Sequence, residues 1–428
     1  MQEKDISNRF LSLSSDCKRG IEMKKERLFG VGEPLIQRER DQGIPADQAL
    51  TLVTGLGCNA FRSWMHITEI LDDPKTVNPE SFRMHKRLLD KAKELDIEVT
   101  GMSHEWFLPE GCIQKKGHAM PQRDLNPGSL YRKALEMLEE SWATMAETFP
   151  QVTIWEVGNE WNLNAFLHPD GFLDSDMSKP FTPDEKYDIA VDMMYFSAKG
   201  IRRGNPNAKV ASFSPALSTP SLGGGMPDFF PVMYGVAWAL DQIYSRIVSG
   251  KYWSDNPDDY FDLVSWHPYV FTTREVDDKD LFLDVEEPDT LWRDYNDAAY
   301  RVMRKYGDKD KQVILTETGF TDLGNPEWEA RYALYNQKIL KYAEAMPYVR
   351  TLHNFRLFNE NAMLKRAGIE ENQIGGVTEV YFGLFSDPEE GCRPRKRALA
   401  IQQMTGSNAD LTALASEIKV NETGKEGE

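Results

Sequence analysis

Two glutamates carry most of the chemical information in this chain. Glu160 closes the segment Val152-Thr153-Ile154-Trp155-Glu156-Val157-Gly158-Asn159-Glu160, and Glu317 closes Gln312-Val313-Ile314-Leu315-Thr316-Glu317. Each segment is short, apolar and β-rich and follows a helix-like stretch, so each carboxylate is expected at the C-terminal end of a buried parallel strand. Two carboxylates on one barrel rim are what hydrolysis of a glycosidic bond requires. One serves as general acid/base and the other as nucleophile, about 5–5.5 Å apart when the reaction retains configuration. Burial and a like-charged neighbour raise the pKa of the acid. Asn159, next to Glu160, brings an amide suited to a sugar 2-hydroxyl. Taken singly, either glutamate reads equally well as a strand-end ion-pair partner, and only the pair in a repeating framework gives the chemistry weight.

That framework is a strand-helix rhythm repeated eight times. The patterning predicts strands at 27–32, 59–64, 97–102, 152–160, 208–213, 262–266, 312–317 and 349–358. The predicted helices span 45–56, 79–95, 127–149, 183–203, 227–249, 288–306, 326–345 and 394–404. Several open with proline near the first turn, where the missing N–H costs nothing. Helix-to-strand links are short, whereas strand-to-helix links such as 104–126, 161–182, 267–287 and 359–393 are long. Tight turns at one end and long loops at the other are the signature of a (β/α)8 TIM barrel with its site at the strand C-termini. The expected organisation is a 1–26 N-terminal arm, a single 27–406 barrel domain and a 407–428 C-terminal tail. A doubly wound sheet lacks support, since no Gly-rich phosphate loop follows an early strand. The Gly223-Gly224-Gly225 run has no following lysine and reads as a flexible loop.

Within this frame the sequence resembles the retaining glycoside hydrolases of clan A, over roughly residues 28–406. Trp155-Glu156-Val157-Gly158-Asn159-Glu160-Trp161-Asn162 is similar to the clan's strand-four motif, and Leu315-Thr316-Glu317-Thr318-Gly319-Phe320 to its strand-seven motif. Ser265-Trp266-His267-Pro268-Tyr269 resembles the His-x-Tyr element after strand six, and Phe61-Arg62-Ser63-Trp64 the strand-two arginine. Families 39 and 5 are nearest in look. The resemblance implies Glu160 as acid/base, Glu317 as nucleophile, Tyr269 as hydrogen-bond donor to the nucleophile and His267 lining the site. It also implies that Arg62 keeps Glu317 ionised, as a cation within ~4–6 Å lowers a carboxylate pKa. No cofactor is implied.

The chain departs from the clan at strand eight. Thr351-Leu352-His353-Asn354-Phe355-Arg356-Leu357-Phe358-Asn359 lacks the tryptophan that usually floors the subsite of the cleaved sugar. Phe355 or Phe358 is the expected replacement, with Phe358 counted among the substrate-binding residues. Arg356, if aimed into the barrel, would suit a carboxylate on the substrate; a structural ion pair is the plainer reading. His104, Trp106 and Trp161 are candidates for hydrogen bonding to and stacking on sugar. A metal at His104 and Glu105 lacks a second ligand pair at helical spacing, and none is expected.

Composition bounds the rest. The 428 residues carry a net charge of −18, which disfavours nucleic acid and anionic membrane as partners and is otherwise read as a solubilising surface. Aromatics reach 11%, enough for a core with some left to line a cleft. Cys17, Cys58, Cys112 and Cys392 are far apart, with no metal-ligand spacing, so reduced thiols are expected. The polar start Met1-Gln2-Glu3-Lys4-Asp5 and the lack of any 18-residue apolar run point to a soluble, cytoplasmic protein, and the resemblance implies carbohydrate as its partner. Two rival classes stay open: a non-catalytic sugar-binding barrel, and a lyase or isomerase acting on a sugar acid or phosphate. The second would want a metal cluster or a phosphate loop.

Overall fold

The computed structural model describes residues 28–172, 180–216, 235–270, 288–322, 324–360 and 380–420. Eight strands form one sheet: β1 (Leu28–Gly32), β2 (Ala60–Trp64), β3 (Glu98–Met102), β4 (Ile154–Glu156), β5 (Lys209–Ala211), β6 (Val264–Trp266), β7 (Val313–Thr318) and β8 (Val349–Phe355). Every neighbouring pair is parallel, in the order β5-β4-β3-β2-β1-β8-β7-β6. A bridge between Ala211 and Leu263 joins the two ends, and the Ser212 amide donates to the Leu263 carbonyl at 3.0 Å. The sheet therefore wraps into the expected (β/α)8 barrel.

The helices are α1 (Ala46–Gly55), α2 (Pro79–Glu94), α3 (Leu130–Thr148), α4 (Pro183–Gly204), α5 (Gly235–Ile247), α6 (Pro288–Lys305), α7 (Pro326–Ala345) and α8 (Lys396–Thr405). Proline occupies the first turn of α2, α4 and α7, while Asn78, Thr182 and Asn325 accept hydrogen bonds from the exposed amides there. A further helix, Leu35–Gln42, precedes α1. Another, Leu411–Ser416, lies in the segment expected as a tail and buries Leu411 and Ala415 on α1. Gly55 makes that contact feasible, because a Cβ there would stand 2.6 Å from Leu414. The N-terminal arm, the Gly223–Gly225 run and Cys17 lie outside the described residues; Cys58, Cys112 and Cys392 are free thiols. Among the described residues no helix is long and apolar enough to cross a membrane.

Strand alternation sorts side chains between barrel interior and helical shell. On β4, Trp155 faces outward against Trp142 of α3, with ring centroids 5.6 Å apart. Ile154 faces inward, where it joins Ala211, Leu263 and Ile314 in a small buried cluster. One layer higher the interior turns polar, with Arg62, Glu156, Thr316 and His353 all buried. Gly30 on β1 leaves room for this layer, since a Cβ would lie 2.6 Å from the His353 ring.

Two irregularities shape the rim. In β7 the pairing with β8 runs Leu315↔Leu352 and then Thr318↔Asn354, so β7 carries one extra residue. Such a bulge breaks strict alternation and re-aims a side chain. Consecutive Thr316 and Glu317 consequently both reach partners in the barrel mouth. The second irregularity is Glu160, whose φ of +49° places a branchless but non-glycine residue in the left-handed region. That conformation costs about 1–2 kcal/mol and persists only where surroundings enforce it. Here the Glu160 amide donates to the Ser214 carbonyl at 2.9 Å, next to an Asn159–Ser214 bridge.

Asp192, fully buried on α4, ties the loop after β3 and the link after α5 to the helical shell. It accepts from Arg123 Nε at 2.7 Å, Tyr131 OH at 2.8 Å and Trp253 Nε1 at 2.8 Å. Asp192→Ala strands a partly exposed guanidinium, the buried Tyr131 hydroxyl and the half-buried Trp253 indole together, so it is expected to cost about 2–3 kcal/mol. Urea unfolding of the variant against wild type measures this, and a loss below about 1 kcal/mol contradicts the assignment.

Candidate active site

Arg62 sits at the centre of the barrel mouth, wholly buried. Its Nε donates to Glu156 Oε2 at 2.6 Å, Nη1 to Glu317 Oε1, and Nη2 to Asn159 Oδ1 at 2.9 Å. The planar fork of a guanidinium suits three acceptors on two strands and a loop, which a lysine ammonium cannot match. Below it the Trp64 ring lies 4.8 Å from the guanidinium carbon. Glu156 has further donors: the Thr316 hydroxyl at 2.8 Å and that of Ser214.

Glu317, from the bulged end of β7, also accepts from Tyr269 OH at 2.9 Å. Glu160 stands across the mouth, with one oxygen 2.7 Å from His267 Nδ1. The same imidazole nitrogen lies 3.7 Å from Glu317 Oε2. One oxygen from each glutamate and the His267 nitrogen all fall within 4.8 Å of one another. The two carboxylates therefore converge on a shared space.

Their electrostatic settings differ. Burial pushes the Glu160 carboxyl above its ordinary range, and the Glu317 charge adds to this against the opposing pull of His267 and Arg62. Burial acts the same way on Glu317, but His267, Arg62 and the Tyr269 hydrogen bond outweigh it and hold that carboxyl below its ordinary range. One site thus keeps one carboxyl protonated to higher pH and the other ionised to lower pH. Asn159 is oriented as well: with Oδ1 committed to Arg62, its NH2 is the end left to donate to a ligand.

Other sequence candidates fall in two groups. His104 reaches the cleft half-buried, its ring 4.3 Å from His66 and 4.8 Å from His118. Burial, with the neighbouring imidazoles and Arg62, keeps its pKa well below the ordinary histidine value. Trp106 and Trp161 instead lie in the core behind the rim, 1% and 0% exposed. The Trp106 indole donates to the Ala119 carbonyl at 2.8 Å and its ring meets Trp161 edge-on at 5.9 Å; Trp161 stacks on Phe213 at 5.3 Å. Gly158 is the reason Trp161 fits, because a Cβ there would come within 2.2 Å of its ring. Both tryptophans anchor loops, and neither presents a face to the cleft.

Phe358 is likewise removed from the mouth. β8 ends at Phe355, and the fully buried Glu33 carboxylate accepts from the Leu357 and Phe358 amides at 2.8 and 3.2 Å. This turns the chain outward, and Phe358 packs on Phe385 in the shell. Phe355 stays partly exposed at the mouth. It lies 6.3 Å from Trp64 and 5.6 Å from Phe382, whose ring meets Tyr269 at 5.8 Å. Arg356 pairs with Glu33 at 3.4 Å and with Glu360, so its charge is spent on the scaffold rather than aimed inward.

Glu156, Ser214 and Phe382 are residues of the mouth that motif reading missed. Glu156 had a signal, since alternation along β4 puts it inside with Ile154 and a buried carboxylate needs a cation. Arg62→Lys is expected to lower kcat/KM about 10²–10⁴-fold on any substrate the wild type turns over. Loss of the neighbouring cation's fixed contact raises the Glu317 pKa, so the acidic limb of the pH profile moves to higher pH. An unmoved acidic limb in the variant contradicts this role.

No family model and no curated protein matches the chain. Solved structures do. A family 39 glycoside hydrolase from the gut symbiont Bacteroides cellulosilyticus WH2 is 15% identical at a TM-score of 0.54, over 89% of this chain and 64% of that one. A GH5-4 broad-specificity endoglucanase from a Clostridium is 13% identical at 0.59, over 89% and 96%. An exo-β-1,4-mannosidase from Opitutaceae bacterium strain TAV5 is 15% identical at 0.53, over 91% and 60%. This chain spans under two thirds of the first and third of these proteins. At such identities the likeness is one of fold: the chain shares the (β/α)8 barrel of clan A glycoside hydrolases.

Proposed function

We propose that this protein is a retaining glycoside hydrolase acting on a β-linked or similarly equatorial O-glycoside. The observation that carries the reading is the pair Glu160 and Glu317, with oxygens within 4.8 Å and carboxyl pKa values displaced in opposite directions. That separation suits direct attack by one carboxylate. Inversion needs about 6.5–9.5 Å to seat a water between the groups. The glycoside hydrolases among proteins of the same fold are consistent with it.

In the first step Glu317 attacks the anomeric carbon as the bond to the leaving oxygen breaks, and the Glu160 proton passes to that oxygen. In the second, Glu160 takes a proton from water, whose oxygen displaces Glu317 and releases the sugar with its original configuration. Arg62 and Tyr269 hold the nucleophile ionised and fixed. His267 bonds to Glu160 in both of its protonation states, as imidazole N–H donor to the carboxylate or acceptor from the acid. Asn159 is placed to donate to the sugar 2-hydroxyl, a bond that strengthens in the transition state. A non-catalytic sugar-binding barrel has no use for a carboxyl on each side of one bond, and no observation favours it.

Activity is expected to rise with pH as Glu317 ionises, at a pKa below the ordinary carboxylate value. It is expected to fall as Glu160 deprotonates, at a pKa above it, giving a bell-shaped kcat/KM. On a panel of p-nitrophenyl glycosides, Glu317→Ala is expected to abolish turnover. Glu160→Ala is expected to lose about 10²–10⁴-fold, and azide restores part of the rate as a retained glycosyl azide. A Glu317→Ala enzyme with near-native turnover, or an inverted first product by NMR, would falsify the mechanism.

A further inference from the structure

The strand-two and strand-three ends bring together a second group of chemically capable side chains that the proposed hydrolysis does not use. His66 follows β2, and His104 and Glu105 follow β3. One ring nitrogen from each histidine and one Glu105 oxygen lie within 4.8 Å of one another. The His66 and His104 rings are 4.3 Å apart, and His118 from the same rim lies 4.8 Å beyond His104. Both His66 Nδ1 and His104 Nδ1 are buried without a hydrogen-bond partner. Buried polar atoms are ordinarily paired, so two orphaned nitrogens on adjoining imidazoles need an explanation.

The surrounding contacts hold the group in place. The Ile67 amide donates to Ser103 Oγ at 3.0 Å, and that hydroxyl donates to the Glu105 carbonyl at 2.9 Å, which locks the two loops together. The Thr68 hydroxyl donates to Glu105 Oε2 and orients the carboxylate. Hydrogen bonds of this kind to a ligating carboxylate are a regular part of metal centres.

We infer that His66, His104 and Glu105 form a binding site for a divalent transition-metal ion of the zinc class. Two imidazoles and a carboxylate are a zinc-type donor set and suit neither calcium nor magnesium, which take oxygen ligands. Bonds of about 2.0–2.2 Å to one ion require ligand atoms nearer than their present spacing, so binding draws the two rings and the carboxylate together. Three protein ligands leave a fourth position for water or a sugar hydroxyl.

The site shares no ligand with the Glu160–Glu317 pair, and its test reads ion binding rather than turnover, so it fails or holds independently of the hydrolase reading. The chelator-stripped protein is titrated with Zn2+ by calorimetry and with Co2+ by visible absorption. One equivalent is expected to bind, with Co2+ giving the intense bands of a four-coordinate site and Ca2+ giving no heat. His66→Gln and Glu105→Gln, each checked for folding by circular dichroism, abolish it, and Thr68→Val weakens it about 10–100-fold. Glu160→Gln leaves it unchanged. Absence of Zn2+ binding by wild type overturns the inference. So does binding that survives His66→Gln and Glu105→Gln, or that disappears in Glu160→Gln, which would place the ion on Glu160, His267 and Glu317.

Discussion

The barrel mouth is organised around one guanidinium shared by two carboxylates. Arg62, Glu156 and Glu317 are all withdrawn from water, and each such ion loses several kcal/mol of hydration on burial. The arrangement holds because no charge is left to a single partner. Arg62 uses all three of its nitrogens, and Glu156 adds the hydroxyls of Thr316 and Ser214 to its ion pair. Glu317 adds Tyr269. Counted formally, one cation faces two anions, and the surplus negative charge is met by neutral donors from β5, β6 and β7 ends. Those donors are rigid because the strands are.

The unlike settings of Glu160 and Glu317 follow from this same geometry. Both carboxyls are buried, so burial alone would push both upward. The difference is one of donors: Arg62 and Tyr269 contact Glu317 directly, whereas Glu160 has His267 and feels Arg62 only at a distance. An identical pair of side chains acquires two different chemistries from where a single arginine points. The left-handed backbone at Glu160 belongs to this account, since the αL turn directs its side chain back over the mouth instead of along the strand.

The architecture was legible because barrel strands and shell helices announce themselves by period and length, and loop asymmetry told which rim carries the site. Glu160, Glu317, Arg62, Asn159, His267 and Tyr269, named from motifs, are brought together by the structure. What pattern reading lacks is the direction of a side chain once alternation is broken. The extra residue in β7 cannot be seen in Val313-Ile314-Leu315-Thr316-Glu317, yet it lets Thr316 and Glu317 reach the same polar layer. Phe358 was misplaced because its fate is decided by Glu33, more than 300 residues earlier, which draws the chain out of the strand. Trp106 and Trp161 looked like stacking residues because an aromatic just past a strand end has two uses, sugar platform or loop anchor, and composition does not say which. The pairing of His66 with His104 eluded motif reading for a similar reason: the two follow neighbouring strands and share no local spacing.

Strand eight shows how a barrel can keep its centre while changing its floor. With no tryptophan there, the aromatic surface beside Glu317 is assembled from Trp64 on β2, Phe355 on β8 and Phe382 on the segment after it, with Tyr269 at the edge. Phe355 alone offers less area than an indole, and the shortfall is made up from two other places in the chain. Trp64 cannot move freely, as its ring lies against Arg62 on one side and would touch any side chain added at Gly32. Phe382 is held by its neighbour, since Gly383 lets the backbone close on Asn359. The aromatic surface of the mouth therefore packs against the arginine that lowers the Glu317 pKa, and a change in the shape of one acts on the other.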